Sequence, residues 1–221
     1  MTFVETCIAD SMPLWQKCLE SDFLTQMQAG TLPEECFKGY IIDDSLYLRE
    51  YAKVFAWGMT KAQDMDSIRI YYSLLSFVNE GEGATRLKYL ERYHLDDSKI
   101  QYLPQRPENR AYTDYMVAAS RDGQGAAECI MAVLPCMLSY GWIFQTMVRE
   151  HPQVMDTVYG PLVGDYASKS YEDACQRWAE YAESVCQGLP QERLEHCVEI
   201  FRECSRYELG FWHMSEKPRQ D

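Results

Sequence analysis

Hydrophobic residues along this chain recur at the spacing of helices rather than of strands. Apolar positions three and four residues apart form one-sided stripes in segment after segment, and no strictly alternating run survives inspection. The fold class predicted from this pattern is therefore all-α. The predicted helices cover about residues 3–20, 23–27, 34–60, 66–78, a segment reaching 93, 108–120, 126–150, 159–166, 170–187 and 190–213.

Prolines, glycines and capping residues predict where these helices bend and begin. Pro13 and Pro135 lie inside helical patterns, where a missing amide and a steric clash predict kinks. Residues 31–34, Thr-Leu-Pro-Glu, have the form of a capping box with proline just inside the helix start. Residues 79–83, Asn-Glu-Gly-Glu-Gly, predict an interruption, and residues 95–98 predict a turn.

Two predicted helices carry a carboxylate on their apolar face. Asp44 lies between Ile41 and Leu48 on the stripe of the third helix, and Glu208 lies on the stripe of the last one. A charged carboxylate in an apolar interior costs several kcal/mol unless something pairs with it. A bound ligand is one such partner, and a hydrogen bond from one of the sixteen tyrosines is the purely structural alternative.

Cys136 is the third candidate for chemistry, because it directly follows the interior proline of a long apolar helix. A kink frees backbone groups and opens space for a ligand beside it. The nine cysteines are an odd number without a CxxC pair, so we interpret them as reduced thiols. Buried cysteine is usually an inert core residue, which is the alternative for Cys136 as well.

Composition narrows the classes of partner. The chain has 221 residues with no linker or internal repeat, so we predict a single domain over residues 1–221. A formal charge of −13 disfavours nucleic acid and anionic membranes as partners. The first residues lack the positive charge of a signal peptide, which predicts a cytoplasmic protein. The charge-free run at 129–144 is shorter than the roughly 20 residues of a membrane span and is interpreted as a buried helix.

Five motifs in this sequence together resemble the TenA, or thiaminase II, family of thiamin salvage. Residues 43–48, Asp-Asp-Ser-Leu-Tyr-Leu, resemble the family's Gln-Asp-x-x-Tyr-Leu segment, and residues 134–136, Leu-Pro-Cys, resemble the segment with its nucleophile. Residues 207–212, Tyr-Glu-Leu-Gly-Phe-Trp, are similar to its C-terminal Tyr-Glu-x-x-Phe-Trp. Residues 111–113 and 159–166 fall where members carry active-site tyrosines. The motifs follow the family order and span nearly the whole chain.

The resemblance implies a haem-oxygenase-like helical fold, commonly a homotetramer, with a pocket for an aminopyrimidine and no metal or cofactor. By position, Cys136 corresponds to the nucleophile, Glu208 to its acid/base partner and Asp44 to the acceptor for the pyrimidine's amino group. The pocket walls implied in the same way are Tyr47, Tyr112, Tyr166 and Phe211. The implied activity is a hydrolase that replaces the amine of an aminopyrimidine, or the thiazole of thiamin, to give hydroxymethylpyrimidine.

Four departures from the family pattern leave the substrate open. Asp43 stands for the usual glutamine, Ser21-Asp22-Phe23 for His-Pro-Phe, Leu162 for a tryptophan, and Arg86 for a histidine. Asp43 is about 100° around the helix from Asp44, so it need not enter the pocket, and a tyrosine behind the pocket is its candidate partner. The alternatives are a pocket protein that binds or hydrolyses a different pyrimidine-like amine, or a non-catalytic ligand-binding protein.

Other helical classes fit less well. A haem oxygenase needs an axial histidine early in the chain, and the first histidine here is His94. A di-iron carboxylate bundle needs two Glu-x-x-His motifs, and only residues 91–94 match. A transcriptional role would need a basic recognition helix, which is absent from the sequence.

Overall fold

The structure is a computed structural model that describes residues 1–77 and 83–220, and within these ranges it contains helices and no strand. The all-α prediction is therefore confirmed. The α-helices are α1 (Phe3–Leu19), α2 (Asp22–Gln28), α3 (Glu34–Lys61), α4 (Met65–Phe77), α5 (Gly83–Arg92), α6 (Asp97–Ile100), α7 (Pro107–Asp122), α8 (Ala126–Glu150), α9 (Gly160–Ala167), α10 (Lys169–Cys186) and α11 (Gln191–Ser215).

Helix α8 lies at the centre and packs against α3, α7, α9, α10 and α11. It is apolar nearly all round, as expected of a helix enclosed by others. By length and composition it would suffice to cross a membrane, but 83% of its most apolar stretch is buried among the other helices. The prediction of a buried core helix is confirmed. Helices α3, α7 and α11 surround α8 on the side where the candidate residues lie.

The predicted capping box at residues 31–34 is wrong. Helix α3 begins at Glu34 with Pro33 as its N-cap and without a side-chain cap. Thr31 completes the end of α2 instead, because its amide donates to the Gln26 carbonyl at 2.8 Å and its hydroxyl donates to the same oxygen at 3.5 Å. Gly30 makes this turn possible with a φ of +70°, a left-handed conformation that glycine adopts without strain.

A capping box that sequence reasoning missed begins α1. The Thr2 hydroxyl accepts from the Glu5 amide at 3.2 Å, and the Glu5 carboxylate accepts from the Thr2 amide at 2.7 Å. The predicted turn at 95–98 overlaps the start of the one-turn helix α6, which is capped by Asp96. A 3-10 helix at Pro152–Asp156 was not predicted.

Two further predictions concern helix shape and interruption. Pro13 and Pro135 both lie inside helices that continue past them, and the kinks there stay predictions. The predicted interruption at 79–83 lies outside the described residues apart from Gly83, and so does the end of the predicted 66–78 segment.

Candidate active site

Asp44 lines a cavity of 190 Å³ between α3, α5, α9 and the start of α10. Its position follows from the helical repeat, because Ile41 precedes it by one turn on the same face and also lines the cavity. Tyr166, a second predicted pocket residue, lies across from it on α9. The remaining lining residues are Thr85, Arg86, Leu162, Asp165, Ser168, Ser170 and Tyr171.

The Asp44 carboxyl is electrostatically unusual. Its removal from water raises its pKa to about 7, with the Arg86 charge acting to lower the value and the Asp43 charge to raise it further. Within residues 1–77 and 83–220 no hydrogen bond contributes to this shift. Arg86 is held beside it by its Nη1 bonds to the Ser45 hydroxyl at 2.8 Å and to the Asp97 carboxylate at 2.9 Å. Asp44 therefore presents an acceptor to the cavity.

Glu208, Tyr112 and Cys136 form a second group, which we call the Glu208 cluster. Glu208 is 2% exposed, and the Tyr112 hydroxyl donates to its Oε1 at 2.6 Å. Burial raises the pKa of Glu208 to about 7, while hydrogen bonds from Tyr112 and from the Cys136 thiol lower it and the Asp44 charge raises it. Burial also raises the pKa of Tyr112 well above its usual range, which keeps the phenol protonated as a donor.

The aromatic residues predicted as pocket walls form two groups, one beside the Glu208 cluster and one beside the Asp44 cavity. Tyr47 contacts the ring of Tyr112, a member of the Glu208 cluster, with centroids 5.1 Å apart, and it contacts Phe211 at 5.8 Å, so Tyr47 and Phe211 lie on the side of that cluster. The Tyr47 hydroxyl donates to the Met116 sulfur at 3.8 Å. Tyr166 belongs to the other side, where it stacks on Phe144 at 5.2 Å.

Tyr140 connects the two sides, and sequence reasoning missed it. Its ring contacts that of Tyr166 at 4.9 Å, and burial raises the pKa of its phenol well above the usual range, with the charges of Glu208, Cys136 and Asp44 adding to the rise. Tyr140 follows Cys136 by four residues and so lies one turn further along the same face of α8. This spacing could have identified Tyr140 from the sequence. Four of the seven predicted residues, Asp44, Cys136, Glu208 and Tyr166, thus interact with Tyr140. Of the seven, Asp44 and Tyr166 line the 190 Å³ cavity.

Asp43 differs from its neighbour. It lies outside the cavity, as expected, but the tyrosine suggested as its partner is wrong, because its carboxylate is fully buried in ion pairs with Arg106 and Arg219. Two guanidinium groups satisfy the four lone-pair sites of a carboxylate better than one phenol does.

Two further features of the described part of the chain concern possible metal ligands and disulfides. Residues 1–77 and 83–220 contain no group of three His, Cys, Asp or Glu side chains placed to hold a metal ion. None of the nine cysteines, all of which lie in the described residues, forms a disulfide; Cys136 and Cys175 are half-buried and the other seven are buried.

The chain belongs to the TENA/THI-4/PQQC family, whose model matches residues 8–217. An aminopyrimidine aminohydrolase from Helicobacter pylori is 30% identical over 207 residues, which are 93% of this chain and 94% of that protein. An aminopyrimidine aminohydrolase from Halalkalibacterium halodurans is 26% identical over 99% of this chain and 97% of its own length.

A solved structure supports the fold. A protein from Silicibacter sp. TM1040, described as a TenA family transcription regulator, superposes with a TM-score of 0.87 at 22% identity, covering 98% of this chain and 97% of that one. The predicted haem-oxygenase-like helical fold, which TenA proteins share, is confirmed. At this identity the likeness concerns the fold alone.

Proposed function

We propose that this protein is a thiamin-salvage hydrolase that replaces the amine of an aminopyrimidine by hydroxyl, with Cys136 as nucleophile. The observation that carries the proposal is the thiol of Cys136 bonded to Glu208, a carboxyl whose pKa of about 7 suits it to exchange protons near neutral pH. The family and the two aminohydrolases among its relatives support the same activity.

The first half of the reaction activates the ring. Asp44 accepts a hydrogen bond from the pyrimidine's amino group and so orients the ring. Ionised Glu208 takes the proton of the Cys136 thiol, and the thiolate adds to an electron-poor ring carbon. The electron pair displaced from the ring is held as a new N–H bond, with the proton that Glu208 received. Tyr112 keeps the Glu208 carboxyl oriented throughout through its 2.6 Å bond.

The second half exchanges the amine for water. The electron-rich adduct expels the amine from the methylene on the ring, and the ring N–H proton passes through Glu208 to the leaving nitrogen, which departs as ammonia and leaves an exocyclic double bond. Water then adds its hydroxyl to the methylene and gives its proton to Glu208. The Cys136 thiolate leaves the ring carbon as the aromatic ring re-forms, and it takes that proton back from Glu208. The sum is aminomethylpyrimidine plus water giving hydroxymethylpyrimidine plus ammonia, so Cys136 and Glu208 return to their starting forms.

The cavity favours a single-ring ligand. Its 190 Å³ lies below the about 300–1,000 Å³ of typical ligand sites, so an aminopyrimidine fits it better than two-ring thiamin does. The cavity ends at Asp44 and Tyr166 without reaching Cys136. The proposal therefore requires that the ring, on binding, displace aromatic side chains such as Tyr140 to meet the thiol.

Product analysis tests this function. Incubation with aminomethylpyrimidine, and separately with thiamin, in ¹⁸O-water should yield ¹⁸O-labelled hydroxymethylpyrimidine from the first and less or none from the second. Calorimetry with the same compounds runs in parallel. Tight binding without turnover would make the chain a ligand-binding protein instead. The absence of both binding and turnover would reject the proposal.

A further inference from the structure

Asp43, Arg106 and Arg219 form a buried ion cluster, which we call the clamp. Arg106 donates through Nε to Asp43 Oδ2 at 2.8 Å and through Nη2 to the same oxygen, while Arg219 Nη1 binds Oδ1. The Asp43 side chain is 0% exposed and that of Arg219 is 5% exposed. Such a cluster is costly to bury unless every charge is paired, and here both carboxylate oxygens are.

The clamp joins three pieces of the chain that are distant in sequence. Arg106, the N-cap of α7, also donates from Nη1 to the carbonyls of Met214 at 2.7 Å and Lys217 at 2.9 Å. Arg219, from the segment after α11, donates from Nη2 to the Pro104 carbonyl at 2.8 Å. Asn109 on α7 donates to the Asp43 carbonyl at 2.8 Å. Helices α3, α7 and α11 are therefore fastened at one point.

The same three helices carry the polar groups of the site. Asp44 follows Asp43 directly on α3, Tyr112 lies on α7, and Glu208 lies on α11 before the Met214 carbonyl that Arg106 holds. A small movement of α3 against α7 and α11 would change the separation of Asp44 from the Tyr112–Glu208 pair. Misplacement by about 1 Å can reduce catalysis about 100-fold, so a rigid junction here has a direct catalytic value.

We propose that Asp43, Arg106 and Arg219 are positioning residues that set the placement of Asp44 relative to Glu208. Their role in catalysis rests on the proposed function of the protein as a hydrolase. None of the three lines the Asp44 cavity, so they act through the backbone of the helices that they join. Asp43 is required in this role because a glutamine, the usual family residue at this position, offers one oxygen and no charge to two guanidinium groups.

Substitution of Arg219 by alanine tests the clamp, because it removes one ion pair while leaving the N-cap of α7 intact. We expect the KM for aminomethylpyrimidine to rise about tenfold, with a smaller change in kcat, because Asp44 is displaced more than the Glu208 cluster. Amide hydrogen exchange should become faster in the α3 peptide around Asp44 and stay unchanged in α10. Arg219→Lys should recover part of the KM, because a single ammonium keeps the charge without the two-pronged geometry.

Arg110→Ala is the matched control. Like Arg219→Ala, it removes one guanidinium group, but from an exposed ion pair on α7, where Arg110 and Asp114 are 3.5 Å apart. It should leave both KM and exchange in α3 unchanged. A lower melting temperature of Arg219→Ala with unchanged KM and unchanged α3 exchange would make the clamp merely structural and overturn the inference.

The design separates this inference from the proposed function. If the wild type neither binds nor hydrolyses an aminopyrimidine, the proposed function fails, and exchange in α3 alone decides whether the clamp holds Asp44. Faster exchange confined to α3 in Arg219→Ala would then support the clamp, and unchanged exchange would reject it.

Discussion

Asp43 and Asp44 are neighbours on α3, yet they belong to opposite kinds of environment. The Asp43 carboxylate is fully buried and neutralised by two guanidinium groups, whereas the Asp44 carboxyl faces a cavity with one cation, Arg86, nearby. The 100° between successive helical residues is enough to separate them. Two identical side chains thus divide the work of holding the fold and presenting an acceptor.

The difference lies in the partners rather than in burial. Glu208 is as deeply enclosed as Asp43, but its partners are the neutral donors Tyr112 and Cys136, and its pKa is raised to about 7. Burial raises the pKa of Asp43 as well, but the charges and hydrogen bonds of its two arginine partners act against that rise. Cations favour the charged form of a carboxylate, while neutral donors leave it able to gain and lose a proton. Chemistry is therefore expected at Asp44 and the Glu208 cluster, and stability at the clamp.

The largest effect on turnover is expected from Cys136→Ser. A hydroxyl is a far weaker nucleophile than a thiolate at neutral pH, so kcat should fall by about 10³-fold or more while the protein still folds and binds pyrimidine. Steady-state kinetics and calorimetry measure the two effects. Cys175→Ser is the control, because Cys175 is the other half-buried cysteine and its thiol donates to the Met137 carbonyl at 3.4 Å. Wild-type activity in Cys136→Ser would contradict the assignment.

Asp43→Asn should mainly affect stability. The change leaves the guanidinium groups of Arg106 and Arg219, which are 17% and 5% exposed, without their counter-charge, so the free energy of unfolding should fall by about 3–5 kcal/mol. Asp114→Asn breaks an exposed pair on α7 and should cost about 0–1 kcal/mol. Denaturant unfolding compares the two variants. Equal, small losses would mean that the clamp contributes no more than a surface ion pair.

Glu208→Gln should lower kcat by about 100-fold, because the amide cannot take the thiol proton. In the wild type kcat/KM should rise with pH through about 7, as Glu208 ionises, and the variant should lack this dependence.

The free energy of unfolding should change with pH in the opposite sense. Because burial raises the pKa of Glu208 from 4.5 to about 7, the wild type loses stability relative to the variant as pH rises between these values. If kcat/KM of the variant still rises with pH through about 7, another group is responsible for that rise.

The helical repeat explains why the inward position of Asp44 and Glu208 was predictable from sequence. Each lies on an apolar stripe of its own helix, and no distant information is needed to place it. The partners of Asp43 were not predictable, because Arg106 and Arg219 lie 63 and 176 residues away and no local pattern connects them. Thr31 shows the same limit at short range, since its pattern fits a cap for α3 while its hydroxyl bonds to the end of α2.

Asp44→Asn should have the smallest of these effects on kcat and a clear effect on binding. The amide still accepts a hydrogen bond but also presents donors toward the pyrimidine's amino group, so KM should rise about 10- to 100-fold, as expected for loss of a bond to a charged group.

The pH dependence of the same variant sharpens the comparison between the two aspartates. The Asp44 charge raises the pKa of Glu208, so its removal should move the midpoint of the kcat/KM profile below about 7. Asp43 is absent from the groups that shift Glu208, so Asp43→Asn should leave that midpoint in place even while it destabilises the fold. Profiles of kcat/KM against pH for the wild type and both variants provide the test. A shift in Asp43→Asn equal to that in Asp44→Asn would show that the clamp and the site are one electrostatic unit.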